Sequence, residues 1–242
     1  DTLDTASDYG NSEEVLGRVG VNNFRIITKT TPLQSNVSNV LQSFSRSLED
    51  LRVASVDGLL IHNINDTKEK RFDALYKELN KLKHDKLINK IGFSTYTKEQ
   101  VDFLLDNFEF DLIQVPFNAF DNRLLQNGQL KRLKDKNIEI HARSIFLQGI
   151  LLNLNVLPSY FLNWQQEFSS YQKVVKDSGL SLLEYALNCV LSVEELDKVL
   201  VGVNNMQQLQ EIISASKKKI KTHLPSFNIN DDNLLNPSLW KI

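Results

Sequence analysis

The chain contains a single cysteine, Cys189, among its 242 residues. One thiol cannot close an internal disulfide, which excludes a disulfide-stapled secreted scaffold and favours a reducing compartment. No apolar run approaches the ~18 residues of a membrane-spanning helix. Charge of one sign is also lacking: the net charge is -2, so no general attraction to nucleic acid or to an anionic membrane is expected. We therefore predict a cytoplasmic protein that binds neither nucleic acid nor membrane.

A Gly-x-Gly-x-x-Gly motif is also absent from the start of every predicted helix. That motif marks doubly wound, dinucleotide-binding sheets, so an open doubly wound sheet is the less favoured α/β fold. Strand-like apolar runs alternate with helical patterns, which favours a parallel sheet. Seven strands are predicted, the first two ending at Asp4 and Lys29 and the others covering 56–62, 88–94, 111–115, 138–144 and 199–203. Helices are predicted over 37–51, 72–82, 98–107, 124–136, 181–191 and 207–215.

The predicted fold is α/β, a (β/α)8 TIM barrel that lacks its N-terminal strand and helix in this chain. Such a barrel needs eight strands and ~250 residues. Only seven strands are predicted here, and the first residue already belongs to the predicted strand that ends at Asp4. The whole chain, 1–242, is predicted to form one barrel domain. The interval 147–174 has weak periodicity and is predicted to be a long loop over the barrel mouth. The tail 222–242 is predicted to be a second mouth-covering segment.

Four titratable side chains lie at or near the ends of predicted strands: Asp4, Tyr9, Lys29 and His62. Taken singly, each has an ordinary structural interpretation, as an ion-pair partner, a packed loop residue or a core histidine. In β/α barrels, however, catalytic residues come from the C-terminal ends of several different strands. An acid, a phenol, an ammonium and an imidazole in these places form a set suited to proton transfer.

The stretch 4–17, Asp-Thr-Ala-Ser-Asp-Tyr-Gly-Asn-Ser-Glu-Glu-Val-Leu-Gly, resembles the signature of the aldo-keto reductase family. Further similarity to the family follows in the same order at 27–30, 47–63, 90–94, 111–118 and 143–149. The resemblance implies a barrel enzyme that reduces an aldehyde or ketone to an alcohol by hydride transfer from NAD(P)H. Its partner would be a small-molecule carbonyl compound, and no metal site is implied.

The four residues fit this chemistry. Hydride addition to a carbonyl leaves an alkoxide, so an acid must supply a proton. A free phenol is a poor acid at neutral pH, and a neighbouring ammonium favours loss of its proton. The resemblance and the chemistry agree on Tyr9 as the general acid, Lys29 as its cationic neighbour and Asp4 as the partner of Lys29. His62 would donate a hydrogen bond to the carbonyl or relay the proton.

The resemblance also implies a cofactor site. Ser94 and Gln114 match the family's polar contacts to the nicotinamide carboxamide, and Thr95 stands where an asparagine is common. Arg143 occupies the place where many members stack a tyrosine on the nicotinamide ring, and a guanidinium can also stack. The pyrophosphate would be lined by Ser144, Phe146 and Leu147.

Near the last strand, Gly202, Asn205 and Gln208 occupy the segment in which many members hold the 2′-phosphate of NADPH with lysine or arginine. These three residues carry no positive charge. The family resemblance alone implies NADPH as the cofactor, and the absence of a basic residue at these positions makes NADH possible.

Two other functions remain open from the sequence. The chain could be a non-catalytic or regulatory barrel that binds a nicotinamide cofactor, although such a module has no need of Tyr9. Lys29 could form a Schiff base in an aldolase, although a tyrosine five residues after Asp4 favours the reductase. Neither the physiological substrate nor the oligomeric state is predicted.

Overall fold

The structure, a computed structural model, describes residues 2–34, 36–218, 227 and 229–241. The described strands are β1 (Thr2–Asp4), β2 (Arg25–Lys29), β3 (Val56–Ile61), β4 (Ile88–Ser94), β5 (Leu112–Pro116), β6 (Glu139–Arg143) and β7 (Lys198–Val199). They are hydrogen-bonded in chain order from β1 to β7, and the pairs with a defined register are parallel. This confirms the predicted fold class: an α/β fold with the sequential strand order of an incomplete (β/α)8 barrel.

Helices separate the strands. The described α-helices are α1 (Ser12–Val19), α2 (Val37–Leu51), α3 (Phe72–His84), α4 (Lys98–Asn107), α5 (Arg123–Gln126), α6 (Gln129–Asp135), α7 (Gln165–Ser178), α8 (Leu182–Leu191), α9 (Met206–Ser216) and α10 (Asp232–Leu235). Short 3-10 helices cover Ile64–Lys68, Ile150–Leu152, Ser159–Trp164 and Pro237–Leu239. None of the helices among the described residues is both long enough and apolar enough to cross a membrane.

Local sequence explains where the predicted helices begin. The Asn36 side chain caps α2 by accepting a hydrogen bond from the backbone N–H of Ser38. Ser181 and Glu184 form a reciprocal capping box at the start of α8, which satisfies two backbone donors that the first turn leaves unpaired. The helix predicted over 124–136 is instead two helices, α5 and α6, because Gly128 between them adopts φ 82 and breaks the helical path.

The interval 147–174 was predicted to be a long loop, and this is wrong at the level of secondary structure. It contains two 3-10 helices and the first ten residues of α7. Phe168, Tyr171 and Val175 on α7 are spaced by three and four residues and are all buried. They pack in one cluster with Leu151 and Phe161. Burial of these apolar side chains stabilises α7, although the weak periodicity of the whole interval did not predict a helix. Of the tail, residues 222–226, 228 and 242 lie outside the described residues, and the remainder includes α10.

The chain divides into two compact units. The first unit comprises Asp1–Thr95, Gln100–Gln114 and Asn137–Glu139, and it contains β1 to β4 and β5 as far as Gln114. Its buried residues include the group formed by Ile27, Leu60 and Leu112 from three strands. The second unit comprises Tyr96–Glu99, Val115–Lys136 and Ile140–Ile242. Its core is the aromatic-rich cluster that contains α7.

Helix α1 approaches the end of α2 through Gly17. A Cβ placed on Gly17 would lie 2.0 Å from the carbonyl oxygen of Asp50 and 2.8 Å from the carbonyl carbon of Leu51. Only a residue without a side chain permits this backbone contact. The helix that follows the Tyr9 loop is therefore seated directly on its neighbour.

Candidate active site

Three of the four predicted catalytic residues lie at the carboxyl ends of neighbouring strands in the first unit. Asp4 is the last residue of β1, Lys29 is the last residue of β2, and His62 directly follows β3. Parallel strands present their carboxyl ends at one edge, so the three side chains converge. Tyr9 reaches the same place from the loop between β1 and α1.

Lys29 is the buried centre of this group. Its Nζ donates hydrogen bonds to Asp4 Oδ1 at 2.6 Å and to the carbonyl oxygen of Thr5 at 2.7 Å. Its side chain is only 2% exposed, and a buried ammonium needs such acceptors to offset its desolvation. The second carboxylate oxygen of Asp4 accepts a hydrogen bond from Gln114 Nε2. Asp4 is thus fixed through both of its oxygens.

The Tyr9 ring contacts both Lys29 and His62. The Lys29 Nζ is 4.9 Å from the centroid of the Tyr9 ring, within the range of a cation–π contact. The Tyr9 and His62 rings meet edge to face, with centroids 6.0 Å apart. Tyr9 is 49% exposed, so a solute can reach its phenol while the cation behind it stays buried.

His62 is held through its backbone and its ring. The His62 N–H donates to Thr30 Oγ1 at 3.3 Å, and the imidazole Nδ1 lies 3.8 Å from Asp8 Oδ2. Asp8 was not predicted as a site residue. The only sequence signal for it is its position beside Tyr9.

Two further hydrogen bonds fasten the Tyr9 loop and α1. Thr28 Oγ1 donates to Glu13 Oε1 at 2.6 Å, and both residues are buried. The hydroxyls of Thr5 and Ser12 are 2.9 Å apart. Because Thr28 immediately precedes Lys29, the bond to Glu13 ties the helix after Tyr9 to the strand that carries the lysine.

The predicted carboxamide contacts also meet in the first unit. Ser94 at the end of β4 is in register with Gln114 on β5, and the Thr95 N–H donates to the Gln114 carbonyl oxygen at 2.9 Å. Gln114 is fully buried, and its Oε1 accepts no hydrogen bond from any described residue. An unsatisfied buried acceptor is costly, and a carboxamide NH2 is a donor that would satisfy it. These residues fit the amide end of a nicotinamide.

In the second unit, β6 leads into a strained turn. Ser144, Leu147 and Gln148 have φ values of 57°, 47° and 54°, a left-handed conformation that side chains disfavour, and Gly149 follows at 88°. Such strain is concentrated at ligand-binding and active sites. At the end of β6, the guanidinium of Arg143 stacks on the Tyr96 ring, 4.2 Å from its centroid.

A pocket of about 680 Å³ opens beside this turn. Of the predicted cofactor residues, the lining includes Ser144, Phe146, Gly202 and Gln208. Leu147 and Asn205, which the resemblance places near the same cofactor, do not line it. Leu147 is buried in the core cluster of the second unit, and the Asn205 side chain caps α9 by accepting a hydrogen bond from the Gln208 N–H at 2.9 Å.

The pocket lining has the non-basic residues that the sequence indicated at Gly202 and Gln208. As far as the structure describes the chain, no lysine or arginine lines it, and Glu211 contributes an acidic side chain. The Gln208 Oε1 accepts a hydrogen bond from the Asn204 N–H at 2.8 Å.

Comparison with known proteins identifies the family. The family model for the aldo/keto reductase family matches residues 1–223. The chain belongs to this family. Its members are NAD(P)H-dependent oxidoreductases that act on small-molecule carbonyl compounds, so the predicted family and the general class of enzyme are confirmed.

Individual relatives are distant. The chain is 24% identical over 254 residues to L-galactose dehydrogenase of Arabidopsis thaliana, covering 96% of this chain and 77% of that protein. Among solved structures, an aldo-keto reductase of Bacillus halodurans superposes with a TM-score of 0.74 at 20% identity, covering 91% of this chain and 77% of that one. Glycerol dehydrogenase of Gluconobacter oxydans gives a TM-score of 0.64 at 20% identity, with coverages of 88% and 80%.

Proposed function

We propose that this protein reduces an aldehyde or ketone to an alcohol with a nicotinamide cofactor, and that Tyr9 is the general acid. The observation that carries the proposal is the contact of the half-exposed Tyr9 ring with the buried Lys29 ammonium, which Asp4 pairs at 2.6 Å. An accessible phenol backed by a fixed cation is suited to donating a proton to an alkoxide.

Each residue of the group then has a distinct task. The nicotinamide, when bound, supplies the hydride. Tyr9 Oη gives its proton to the former carbonyl oxygen, Lys29 stabilises the phenolate that remains, and Asp4 keeps Lys29 charged and oriented. His62 donates a hydrogen bond to the same carbonyl oxygen, and by stabilising the negative charge that develops there it lowers the barrier.

Two groups of residues are proposed to bind the cofactor. Ser94, Thr95 and Gln114 would bind the carboxamide, with the unpaired Gln114 Oε1 as the acceptor for its NH2. Arg143 would hold the nicotinamide ring, Ser144 and Phe146 would hold the pyrophosphate, and Gly202, Asn205 and Gln208 would lie near the adenosine. NADPH is the proposed physiological cofactor on family grounds, with NADH also accepted.

Two alternatives are less well supported. A Schiff-base lysine has to be neutral and reachable, whereas Lys29 is buried against a carboxylate and a carbonyl oxygen. A non-catalytic, regulatory nicotinamide-binding protein would not require the phenol, ammonium and imidazole to meet.

The test is steady-state turnover, followed through NAD(P)H absorbance. The panel should contain aldehydes and ketones, together with L-galactose and glycerol in the oxidative direction because relatives are named for them. Tyr9→Phe should lower kcat at least ~100-fold, while cofactor binding measured by fluorescence stays within about twofold. Near-normal turnover of Tyr9→Phe on every active substrate would refute the role of Tyr9. Cofactor binding without turnover of any compound would favour the regulatory alternative.

A further inference from the structure

Asp4 contacts Gln114 as well as Lys29, and the proposed mechanism gives this second contact no task. The Asp4 Oδ1 accepts a hydrogen bond from Lys29 Nζ at 2.6 Å, and its Oδ2 accepts one from Gln114 Nε2. Gln114 is fully buried, and all three residues belong to the first unit. One carboxylate therefore joins the lysine behind Tyr9 to the glutamine at the predicted carboxamide site.

The contact with Asp4 decides which end of the Gln114 amide faces the carboxylate. A primary amide has an NH2 group that donates hydrogen bonds and an oxygen that accepts them, whereas an ionised carboxylate only accepts. Asp4 can therefore bind the NH2 of Gln114 but not its oxygen. The Gln114 Oε1 is then directed away from Asp4, and it accepts no hydrogen bond from any described residue. Turning the amide over would place two buried acceptors against each other, which is costly.

We propose that Asp4 is a positioning residue for cofactor recognition: by holding the NH2 of Gln114, it presents Oε1 as an acceptor that selects a nicotinamide over the corresponding nicotinic acid. The inference rests on the proposed function because it requires a nicotinamide cofactor at this site. A carboxamide has an NH2 to donate to Oε1, whereas a carboxylate has only acceptors. A deamidated dinucleotide would therefore place a negatively charged oxygen opposite the Gln114 Oε1.

Backbone contacts around Gln114 allow its side chain to be replaced without undoing the site. Gln114 on β5 is in register with Ser94 on β4, and its carbonyl oxygen accepts a hydrogen bond from the Thr95 N–H at 2.9 Å. Neither contact involves the Gln114 side chain. Lys29 also keeps two acceptors when that side chain is changed, the Asp4 carboxylate and the Thr5 carbonyl oxygen at 2.7 Å. A substitution of Gln114 therefore tests recognition of the cofactor separately from the Asp4–Lys29 ion pair.

Calorimetric titration of the full chain with NAD+ and with its nicotinic acid analogue, deamido-NAD+, tests the proposal without turnover. NADP+ and deamido-NADP+ are titrated in parallel, so that the result does not depend on the 2′-phosphate. In the unmodified chain the analogue should bind about 10- to 100-fold more weakly, because a buried acceptor then faces a carboxylate. Gln114→Met removes that acceptor, and the ratio of the two Kd values should fall to about threefold or less. Asp73→Asn, which removes an exposed carboxylate on α3, should keep the unmodified ratio.

Two variants of Asp4 separate the orientation of Gln114 from the effect of charge. Asp4→Asn offers Gln114 a donor as well as an acceptor, so the amide can turn over and donate to the carboxylate of the analogue. The ratio of Kd values should then fall to about threefold or less. This variant also leaves the positive charge of Lys29 unpaired by a carboxylate, which by itself attracts the analogue. Asp4→Asn combined with Lys29→Met removes both charges, and the ratio should remain as low.

A ratio that returns to the unmodified value in the double variant would overturn the proposal, because charge would then explain the result for Asp4→Asn. If the double variant does not fold, Asp4→Asn at 1 M NaCl decides: a ratio that stays low supports orientation, and one that rises to the unmodified value indicates charge.

The behaviour of the unmodified chain distinguishes this proposal from the proposed function. Equal binding of NAD+ and deamido-NAD+ by a chain that reduces carbonyl compounds would overturn only the task assigned to Asp4. No binding of any of the four dinucleotides would overturn both proposals. The expected pattern of Kd ratios in a protein that reduces no carbonyl compound would support the task of Asp4 and reject the proposed catalysis.

Discussion

The Lys29 Nζ and the Asp4 Oδ1 are 2.6 Å apart, and this ion pair joins the carboxyl ends of β1 and β2. The lysine side chain is 2% exposed and the aspartate side chain 18%. Removing one partner of such a pair is far more destabilising than removing both, because the remaining charge is buried without compensation. The pair therefore links stability to the same side chains that we propose for catalysis.

A double-mutant cycle on this pair should show strong coupling. Lys29→Met should lower kcat by at least ~100-fold and destabilise the fold by about 3–5 kcal/mol, since Asp4 loses its cation. Adding Asp4→Asn to Lys29→Met should recover part of that stability but none of the activity. The coupling is measured by urea unfolding of the unmodified protein, the two single variants and the double variant. Additive losses of stability would mean that the ion pair is not a unit.

Gly17→Ala should destabilise the protein, although alanine is the better helix former. Helix propensity alone would favour the substitution by up to ~1 kcal/mol. The new Cβ would, however, lie 2.0 Å from the Asp50 carbonyl oxygen, and forcing α1 away from α2 should outweigh this gain and leave a net loss of about 1–3 kcal/mol. We expect Tm to fall by roughly 2–12 °C.

Gly202→Ala is the matched control, because nothing lies within 4 Å of a Cβ there, and its Tm should not change by more than about 1 °C. A Gly17→Ala protein as stable as this control would contradict the close contact.

The order of the strands could be predicted from the sequence because each predicted strand is an apolar run of the right length, separated from the next by a helical pattern. The group formed by Asp4, Lys29 and His62 followed from that order, since parallel strands end at one edge. Strand ends were less predictable: β7 was expected over 199–203 and is found at Lys198–Val199. Its residues pair with only two positions of β6, which no local pattern encodes.

Features that depend on tertiary contacts were missed. Helix α7 is stabilised by packing on residues such as Phe120 and Phe227, far away in the chain. The contact between Asp8 and His62 joins residues 54 positions apart, and a single acidic residue in a loop carries no pattern of its own. In the turn after β6, Ser144, Leu147 and Gln148 adopt left-handed backbone conformations. Unlike glycine, these residue types do not predict such a conformation.

The only thiol of the chain should be unreactive in the folded protein. Burial raises the pKa of Cys189 to about 12, so very little thiolate is present at pH 8, and the thiolate is the reactive form. Reaction with a thiol-specific disulfide reagent at pH 8 should be slower than in the urea-unfolded chain by on the order of 100-fold or more. Raising the pH toward 10 should accelerate the native reaction steadily. Equal rates for the folded and unfolded chains would show that the Cys189 side chain is accessible and ionised normally.

Discrimination between NADPH and NADH should be weak. Within the described part of the chain, the pocket beside the Ser144 turn has no lysine or arginine to bind a 2′-phosphate, and Glu211 adds negative charge. A charge-assisted hydrogen bond to a phosphate contributes about 1.5–3 kcal/mol, and each 1.4 kcal/mol is a factor of about ten in Kd. Dissociation constants from cofactor or tryptophan fluorescence should therefore differ by much less than about a thousandfold.

Gly202→Lys supplies the missing cation and sharpens this prediction. A Cβ placed on Gly202 has no atom within 4 Å, so the first carbon of a lysine side chain meets no obstacle at this position of the pocket lining. We expect the Kd for NADPH to fall by about tenfold or more while that for NADH changes little, since only NADPH carries the added phosphate. Gly202→Met is the matched control: it adds comparable bulk without charge and should not strengthen NADPH binding selectively.

A preference for NADPH above about a thousandfold in the unmodified chain would mean that a cation from elsewhere in the protein holds the 2′-phosphate. In that case Gly202→Lys should add nothing, and the pocket would not be where the two cofactors are distinguished.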